Sequence, residues 1–193
     1  MSFKLEHWEN PRKTIATVYE DNDMAYVTHG IKCAYIVIDL IDEKPSLLKD
    51  RSILEYGCGT GKNLRAIHYY FKHAVGYDPV SQCIVEANKE KTYINAPHPS
   101  FPTNEALLKA NMLFTTNLAD IHLQKWDYIY CQDVIQHLNV EDALFAINNI
   151  LDLLAEGGKA YINLPATRAS LFDSFNIKKS TSEKFGHYII LEK

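Results

Sequence analysis

The stretch Arg51-Ser52-Ile53-Leu54-Glu55-Tyr56-Gly57-Cys58-Gly59-Thr60-Gly61-Lys62-Asn63 decides how the rest of the chain is read. Ile53, Leu54 and Tyr56 form a short apolar run of the kind a buried strand uses. Gly57, Gly59 and Gly61 then alternate with small or polar residues, and Leu64, Ile67, His68 and Phe71 follow at helical spacing. The reading is strand, glycine turn, helix. Glycine adopts positive φ and carries no Cβ, so a ligand can lie against the backbone. The start of the helix offers unpaired N–H groups to a polar or negatively charged ligand group.

Spacing narrows the reading. Dinucleotide sites use G-x-G-x-x-G, whose third glycine lets helix and strand pack closely. Here the third glycine comes one residue earlier, and Glu55 stands two residues before the first. The run E-x-G-x-G-x-G resembles motif I of class I, Rossmann-like S-adenosylmethionine-dependent methyltransferases. The resemblance implies S-adenosyl-L-methionine as cofactor and S-adenosyl-L-homocysteine as product. It also implies that Glu55 places the cofactor's methionine end while Gly57, Cys58, Gly59 and Gly61 admit it to the backbone. The alternative is a tight strand–helix turn with no ligand. Three glycines, each costing chain entropy on folding, argue against it.

A second strand is expected from Ala74, Val75 and Tyr77, with Asp78 at its end. Ligands of open parallel sheets bind outside the carboxyl ends of the strands. A carboxylate there can accept two hydrogen bonds from a ribose diol. Asp78 followed by Pro79 resembles the second motif of the same family. Asp78 also suits the N-cap of a helix starting at Pro79, and both roles can hold together.

The remaining chain continues the alternation. A helix is expected over Ser81–Tyr93, a proline-rich surface loop over Ala96–Pro102, a short helix over Asn104–Ala110 and a third strand over Met112–Thr115. Asn117 and Leu118 then stand where the family commonly places an Asp against the adenine amino group; an Asn carbonyl can accept from the same donor. Trp126–Cys131 reads as the fourth strand. Gln132 to Leu138 resembles the family's next segment, which implies Gln132 and Asp133 on the methionine side and His137 facing the acceptor. Histidine can take a proton from an attacking hydroxyl or amine; the competing reading is that His137 only packs. A helix capped by Asn139, with Asp142 at the capping-box position, carries the stripe Ala143, Ile147, Ile150, Leu151 and Leu154. Gly157 and Gly158 are expected to end it. A fifth strand over Lys159–Leu164, a brief helix within 167–173 and strands over Phe175–Lys179 and His187–Leu191 complete the series.

Before the glycine run, helices are expected over Asn10–Glu20 and Met24–Ile41, with a chain break at Pro45. They read as a cap over the cofactor or as plain core packing, with Tyr26 a candidate for acceptor binding. The expected fold is α/β: a doubly wound, seven-stranded, mostly parallel sheet with one antiparallel strand in a C-terminal hairpin, helices on both faces and an N-terminal helical cap. One domain spans 1–193, with the cap at 1–45 and the core at 51–193. The closing hairpin makes the chain read as complete, with no inserted acceptor-binding lobe.

Composition bounds the function. The chain has 193 residues and a net charge of −4 with no basic cluster, which argues against a long nucleic-acid footprint. No apolar run is long enough to span a bilayer, and the N-terminus lacks an apolar signal core, so a cytoplasmic protein with no membrane partner is expected. Cys33, Cys58, Cys83 and Cys131 are widely spaced with no C-x-x-C pair, which favours reduced thiols over zinc or disulfides. The eight histidines show no metal-ligand spacing, so no metal is expected. The function implied is methyl transfer from S-adenosylmethionine to a nucleophilic acceptor, a small molecule in first place. A non-catalytic binder of the same cofactor, or a nucleic-acid or protein methyltransferase, is the alternative. Neither the acceptor atom nor the oligomeric state is encoded in a motif.

Overall fold

The computed structural model describes residues 23–89, 111–182 and 186–193. The expected helices at Asn10–Glu20 and Asn104–Ala110 and the proline-rich loop lie outside them. In chain order come α1 (Asp23–Ile41), α2 (Pro45–Leu48), β1 (Ser52–Tyr56), α3 (Lys62–Ile67), β2 (His73–Tyr77), α4 (Ser81–Asn88) and β3 (Met112–Thr115). Then follow α5 (Leu118–Ile121), β4 (Trp126–Cys131), α6 (Val140–Leu153), β5 (Leu154–Asn163), β6 (Lys178–Ser182) and β7 (Tyr188–Glu192). Single 3₁₀ turns lie at His68–Tyr70, Ile135–His137 and Ala166–Phe172.

The seven strands form one sheet in the order β3-β2-β1-β4-β5-β7-β6. β1 to β5 pair in parallel, and β7 runs antiparallel between β5 and β6. Strand order reverses between β1 and β4, which opens a crevice at their carboxyl ends. The expected doubly wound sheet with a C-terminal hairpin is therefore the observed one.

Strand alternation builds two cores. Along β4, Tyr128 and Tyr130 face one side, and Ile129 and Cys131 the other. On the first side Ile53, Tyr161 and Tyr188 meet Leu64 and Ile67 of α3 and Ala34, Val37 and Ile41 of α1. On the second side Leu54, Ala160 and Ile162 meet Ala143, Ala146, Ile147 and Ile150 of α6. Each large aliphatic or aromatic side chain so buried contributes roughly 1.5–3 kcal/mol relative to exposure. The C-terminal half of α1 is thus a layer of the core. Gly30 is where it comes closest: a Cβ there would lie 2.8 Å from the Lys62 carbonyl oxygen.

Some boundaries differ from the sequence reading, each for a local reason. α6 ends at Leu153 without glycine, because Leu154 turns extended and pairs with Trp126 as the first residue of β5. Gly157 and Gly158 lie inside β5, where the register against β4 slips between Trp126 and Tyr128. Gly157 takes φ +72°, and a Cβ on Gly158 would sit 2.9 Å from the carbonyl oxygens of both Ala155 and Trp126. The pair makes a bulge, a second use of glycine. The first hairpin strand begins at Lys178, not Phe175, because Phe175 and Ile177 pack onto the core beneath it. What remains for the edge strand is polar Lys178–Ser182, the kind of edge that resists pairing with another chain. α4 ends at Asn88, where Lys89 turns extended; the rest of the expected span to Tyr93 lies outside the described residues. Pro45 starts the short α2 instead of only breaking the chain, in keeping with proline at a first helical turn.

Phe114 fills the volume two glycines leave. A Cβ on Gly61 would meet its Cζ at 2.5 Å, and one on Gly76 its Cδ1 at 2.6 Å. The Arg65 guanidinium lies 5.1 Å from the ring centroid. Gly76→Ala is therefore expected to cost about 1–3 kcal/mol by overpacking. Adding Phe114→Leu should recover part of that loss in urea unfolding; a Gly76→Ala protein as stable as wild type would contradict this packing.

Candidate functional site

The loop between β1 and α3 is built from positive-φ glycines. Gly57, Gly59 and Gly61 have φ of +82°, +53° and +78°. Two are crowded: a Cβ on Gly57 would lie 2.3 Å from Val134 Cγ2, and Gly61 faces Phe114. Gly59 differs, because among the described residues a Cβ there would meet nothing within 4 Å. The loop is thus pinned by packing at both ends and open to a ligand in the middle.

Asp78, at the end of β2, reaches that opening. Its Oδ2 accepts from the Gly59 N–H at 2.8 Å and its Oδ1 from the Val80 N–H at 2.9 Å. Burial pushes its pKa up to about 6, with the Val80 and Gly59 hydrogen bonds opposing. It does not cap α4, which begins at Ser81 after Val80; the expected start at Pro79 is two residues early. Pro79 lies between the carboxylate and that helix. A carboxylate with two N–H donors retains further lone pairs for a ligand diol. Cys58 is buried, with its Sγ near the Gly59 carbonyl at 3.6 Å.

Glu55 faces inward. It is 1 % exposed, with Oε1 accepting from Asn63 Nδ2 at 2.9 Å and Oε2 from the Leu64 N–H at 3.0 Å. It satisfies an orphan donor at the start of α3 and so sets the angle at which the helix leaves the loop. Burial raises its pKa to about 8, against the Asn63 and Leu64 hydrogen bonds.

The other candidates ring the same sheet edge. Asn117 caps α5: its Oδ1 accepts from the Ala119 N–H at 3.1 Å and its Nδ2 donates to Asp120 Oδ1 at 2.9 Å. Leu118 packs against the core beside it. Gln132 and Asp133 form the turn after β4, and Asp133 takes φ +56°. His137 sits exposed on the 3₁₀ turn Ile135–His137, its N–H bonded to the Val134 carbonyl. Tyr26 falls in the first turn of α1, and its side chain is outside the described set.

Sequence reasoning gives no site role to Tyr130 and Tyr188 at this edge. The Tyr130 and Tyr188 hydroxyls both donate to Gln132 Oε1, the second at 2.9 Å. On α1, His29 Nδ1 lies 3.5 Å from Cys33 Sγ. Burial, then the Lys62 charge, lowers the His29 pKa, while Asp133 opposes. Only the alternation of β4, which puts Tyr130 on the α1 side, hinted at this cluster in the sequence. Among the described residues no cluster of His, Cys, Asp or Glu could hold a metal ion, the four cysteines are free and buried, and no helix is long and apolar enough to cross a membrane.

Comparison with known proteins matches this architecture. The model of a family described as a methyltransferase domain matches residues 31–188. A ubiquinone biosynthesis O-methyltransferase of Psychrobacter arcticus is 23% identical over 153 residues, covering 78% of this chain and 56% of that protein. A second curated relative, from Saccharomyces cerevisiae, is covered over 32% of its length, so the chain spans about half or less of the curated relatives it matches. A proposed S-adenosyl-L-methionine-dependent methyltransferase of Methanococcus maripaludis shares the fold with a TM-score of 0.68 at 14% identity, covering 100% of this chain and 94% of that one. Magnesium protoporphyrin IX methyltransferase of Synechocystis PCC 6803, solved with bound S-adenosylmethionine, gives a TM-score of 0.58 at 17% identity, covering 99% and 90%.

The two buried carboxyls have a consequence for stability. Glu55 and Asp78 hold their protons to higher pH in the folded chain than in the unfolded one. Their contributions are fully present below about pH 4 and are lost as pH rises through about 6 for Asp78 and about 8 for Glu55. Stability should fall across that window. Glu55→Gln is nearly isosteric, and Asn63 can turn its amide to present Oδ1, a buried atom without a protein partner. Urea midpoints between pH 5 and pH 8 should therefore decline less in Glu55→Gln than in wild type; equal slopes would contradict the assignment.

Proposed function

The chain belongs to the methyltransferase domain family, and from that premise we propose that it transfers a methyl group from S-adenosylmethionine to a small-molecule nucleophile. The observation that carries the reading is the open face over Gly59, with the Asp78 carboxylate bonded to the same residue's N–H at the carboxyl edge of β1 and β2. A backbone cradle beside a carboxylate fits an adenosine-bearing ligand. We take residues 1–193 as one such domain, with 1–45 as its helical cap and 51–193 as its core.

Each site residue then has a role. Gly57, Cys58, Gly59 and Gly61 hold the cofactor's methionine side against backbone. Asp78 accepts from the ribose hydroxyls, and Pro79 fixes the chain just after it. Leu118 would flank adenine, and Asn117 Oδ1 would use its second lone pair to accept from the amino group. Gln132 and Asp133 line the methionine end. Glu55, spent on α3, acts by orienting the loop. His137 is the leading group for taking the acceptor's proton, and Tyr26 contributes to the acceptor side.

When bound, the cofactor would supply a sulfonium methyl group, whose carbon–sulfur bond breaks as a nucleophile's lone pair bonds to the carbon, leaving S-adenosylhomocysteine. The chain's own work is to align, to exclude water and to receive a proton. Alignment of a bound pair can contribute up to about 7–11 kcal/mol. The small-molecule acceptor draws support from the names of the relatives, which act in ubiquinone biosynthesis and on magnesium protoporphyrin IX.

Isothermal titration tests the proposal. Folded wild type should bind S-adenosylmethionine or S-adenosylhomocysteine. Asp78→Ala should bind about tenfold to a hundredfold more weakly, the cost of losing hydrogen bonds to a charged acceptor. A folded wild type that binds neither molecule refutes the assignment.

A further inference from the structure

The turn after β4 joins three elements. Asp133 occupies the left-handed region, which costs a non-glycine residue about 1–3 kcal/mol and persists only where the surroundings impose it. Here two amides do so. Gln132 Nε2 donates to Asp133 Oδ2 at 3.2 Å, and Gln136 Nε2 donates to Asp133 Oδ1 at 3.2 Å. Gln132 is itself clamped, because its Oε1 accepts from the Tyr130 hydroxyl and, at 2.9 Å, from the Tyr188 hydroxyl. Both rings are sealed in the core, at 0 % and 1 % exposure. The next residue, Val134, lies against Gly57. A continuous contact path therefore runs from β7 through Gln132 and Asp133 to the lip of the glycine loop.

Topology explains why a residue so late in the chain can take part. β1 to β5 are parallel and end at this edge. β7 is antiparallel and begins here: Tyr188, its first residue, pairs with Asn163, the last of β5. Burial pushes both phenol pKa values upward, so both hydroxyls stay protonated at neutral pH and can donate. The Asp133 carboxylate only accepts, so it takes the amide's N–H end, and the two phenols then donate to Oε1 and hold the Gln132 amide in place.

We infer that Tyr188 and Tyr130 are positioning residues for the amino-acid end of the cofactor: they orient Gln132, which holds the exposed Asp133 carboxylate one residue before the Val134 that abuts Gly57, where it can accept from an ammonium group. The inference rests on the cofactor reading above. Neither phenol touches the ligand. Asp133 makes the contact, and the tyrosines hold its turn in a conformation that it would not keep alone.

The test compares two ligands by isothermal titration at neutral pH. S-Adenosylhomocysteine carries the amino-acid end; 5′-methylthioadenosine has the same adenosine thioether without it. Tyr188→Phe should weaken S-adenosylhomocysteine roughly three- to tenfold, the effect of one hydrogen bond, and leave methylthioadenosine within about twofold. Asp133→Asn, at an exposed position where folding is not at stake, should show the same selectivity with a loss at least as large. Equal weakening of both ligands means a merely structural role and overturns the inference, as does unchanged S-adenosylhomocysteine affinity in both variants. A wild type that binds neither ligand overturns the cofactor reading itself, so the two failures are distinguishable.

Discussion

Gly57, Gly59 and Gly61 place three left-handed residues within five, and no run of L side chains meets that demand without strain. The constraint is useful because only the outer two glycines are consumed by packing. Val134 occupies the space over Gly57 and Phe114 the space over Gly61, while Gly59 faces open volume. The backbone is rigid where it must be and bare where a ligand can approach. Glu55 then ties the start of α3 from below, and Asp78 ties Gly59 from the side. Both carboxyls are buried at a cost, which their raised pKa values record. That cost is borne at the loop, in keeping with strain and desolvation gathering at functional positions.

The fold was legible because its signals are local. Apolar runs of strand length alternating with helical spacing call for a parallel sheet, and the glycine run marks its switch point. Asp78 was legible for the same reason: the end of a strand is a fixed place in such a sheet. Glu55 was legible as a residue type but not in direction. Its position in the motif does not say that both oxygens turn inward to Asn63 and Leu64. Gly157 and Gly158 were misread because a glycine pair serves a helix end and a β-bulge equally well. The choice depended on Leu154 pairing with Trp126, a contact invisible to local reading.

What the sequence hid at the site is what topology assembles. Tyr130 and Tyr188 stand 58 positions apart in the numbering, yet both donate to Gln132. The meeting requires β7 to be inserted antiparallel, so that its first residue lies where the parallel strands end. No spacing rule yields that. The seat of α1 is a similar case: Gly30 lets it settle against Lys62 at the start of α3. The site is thus composed of a motif that can be read and a second ring of side chains that only the folded sheet brings together.

The central claim is that the space over Gly59 is the cofactor's seat, and a single methyl group probes it. Gly59→Ala adds a Cβ that touches no atom of the described residues, so the folded state should lose about 1–2 kcal/mol, the left-handed strain. Thermal unfolding and S-adenosylmethionine titration on that variant separate the two roles. The account predicts a folded protein with a modestly lowered melting temperature and at least tenfold weaker cofactor binding. A folded Gly59→Ala protein that binds S-adenosylmethionine as tightly as wild type would contradict it.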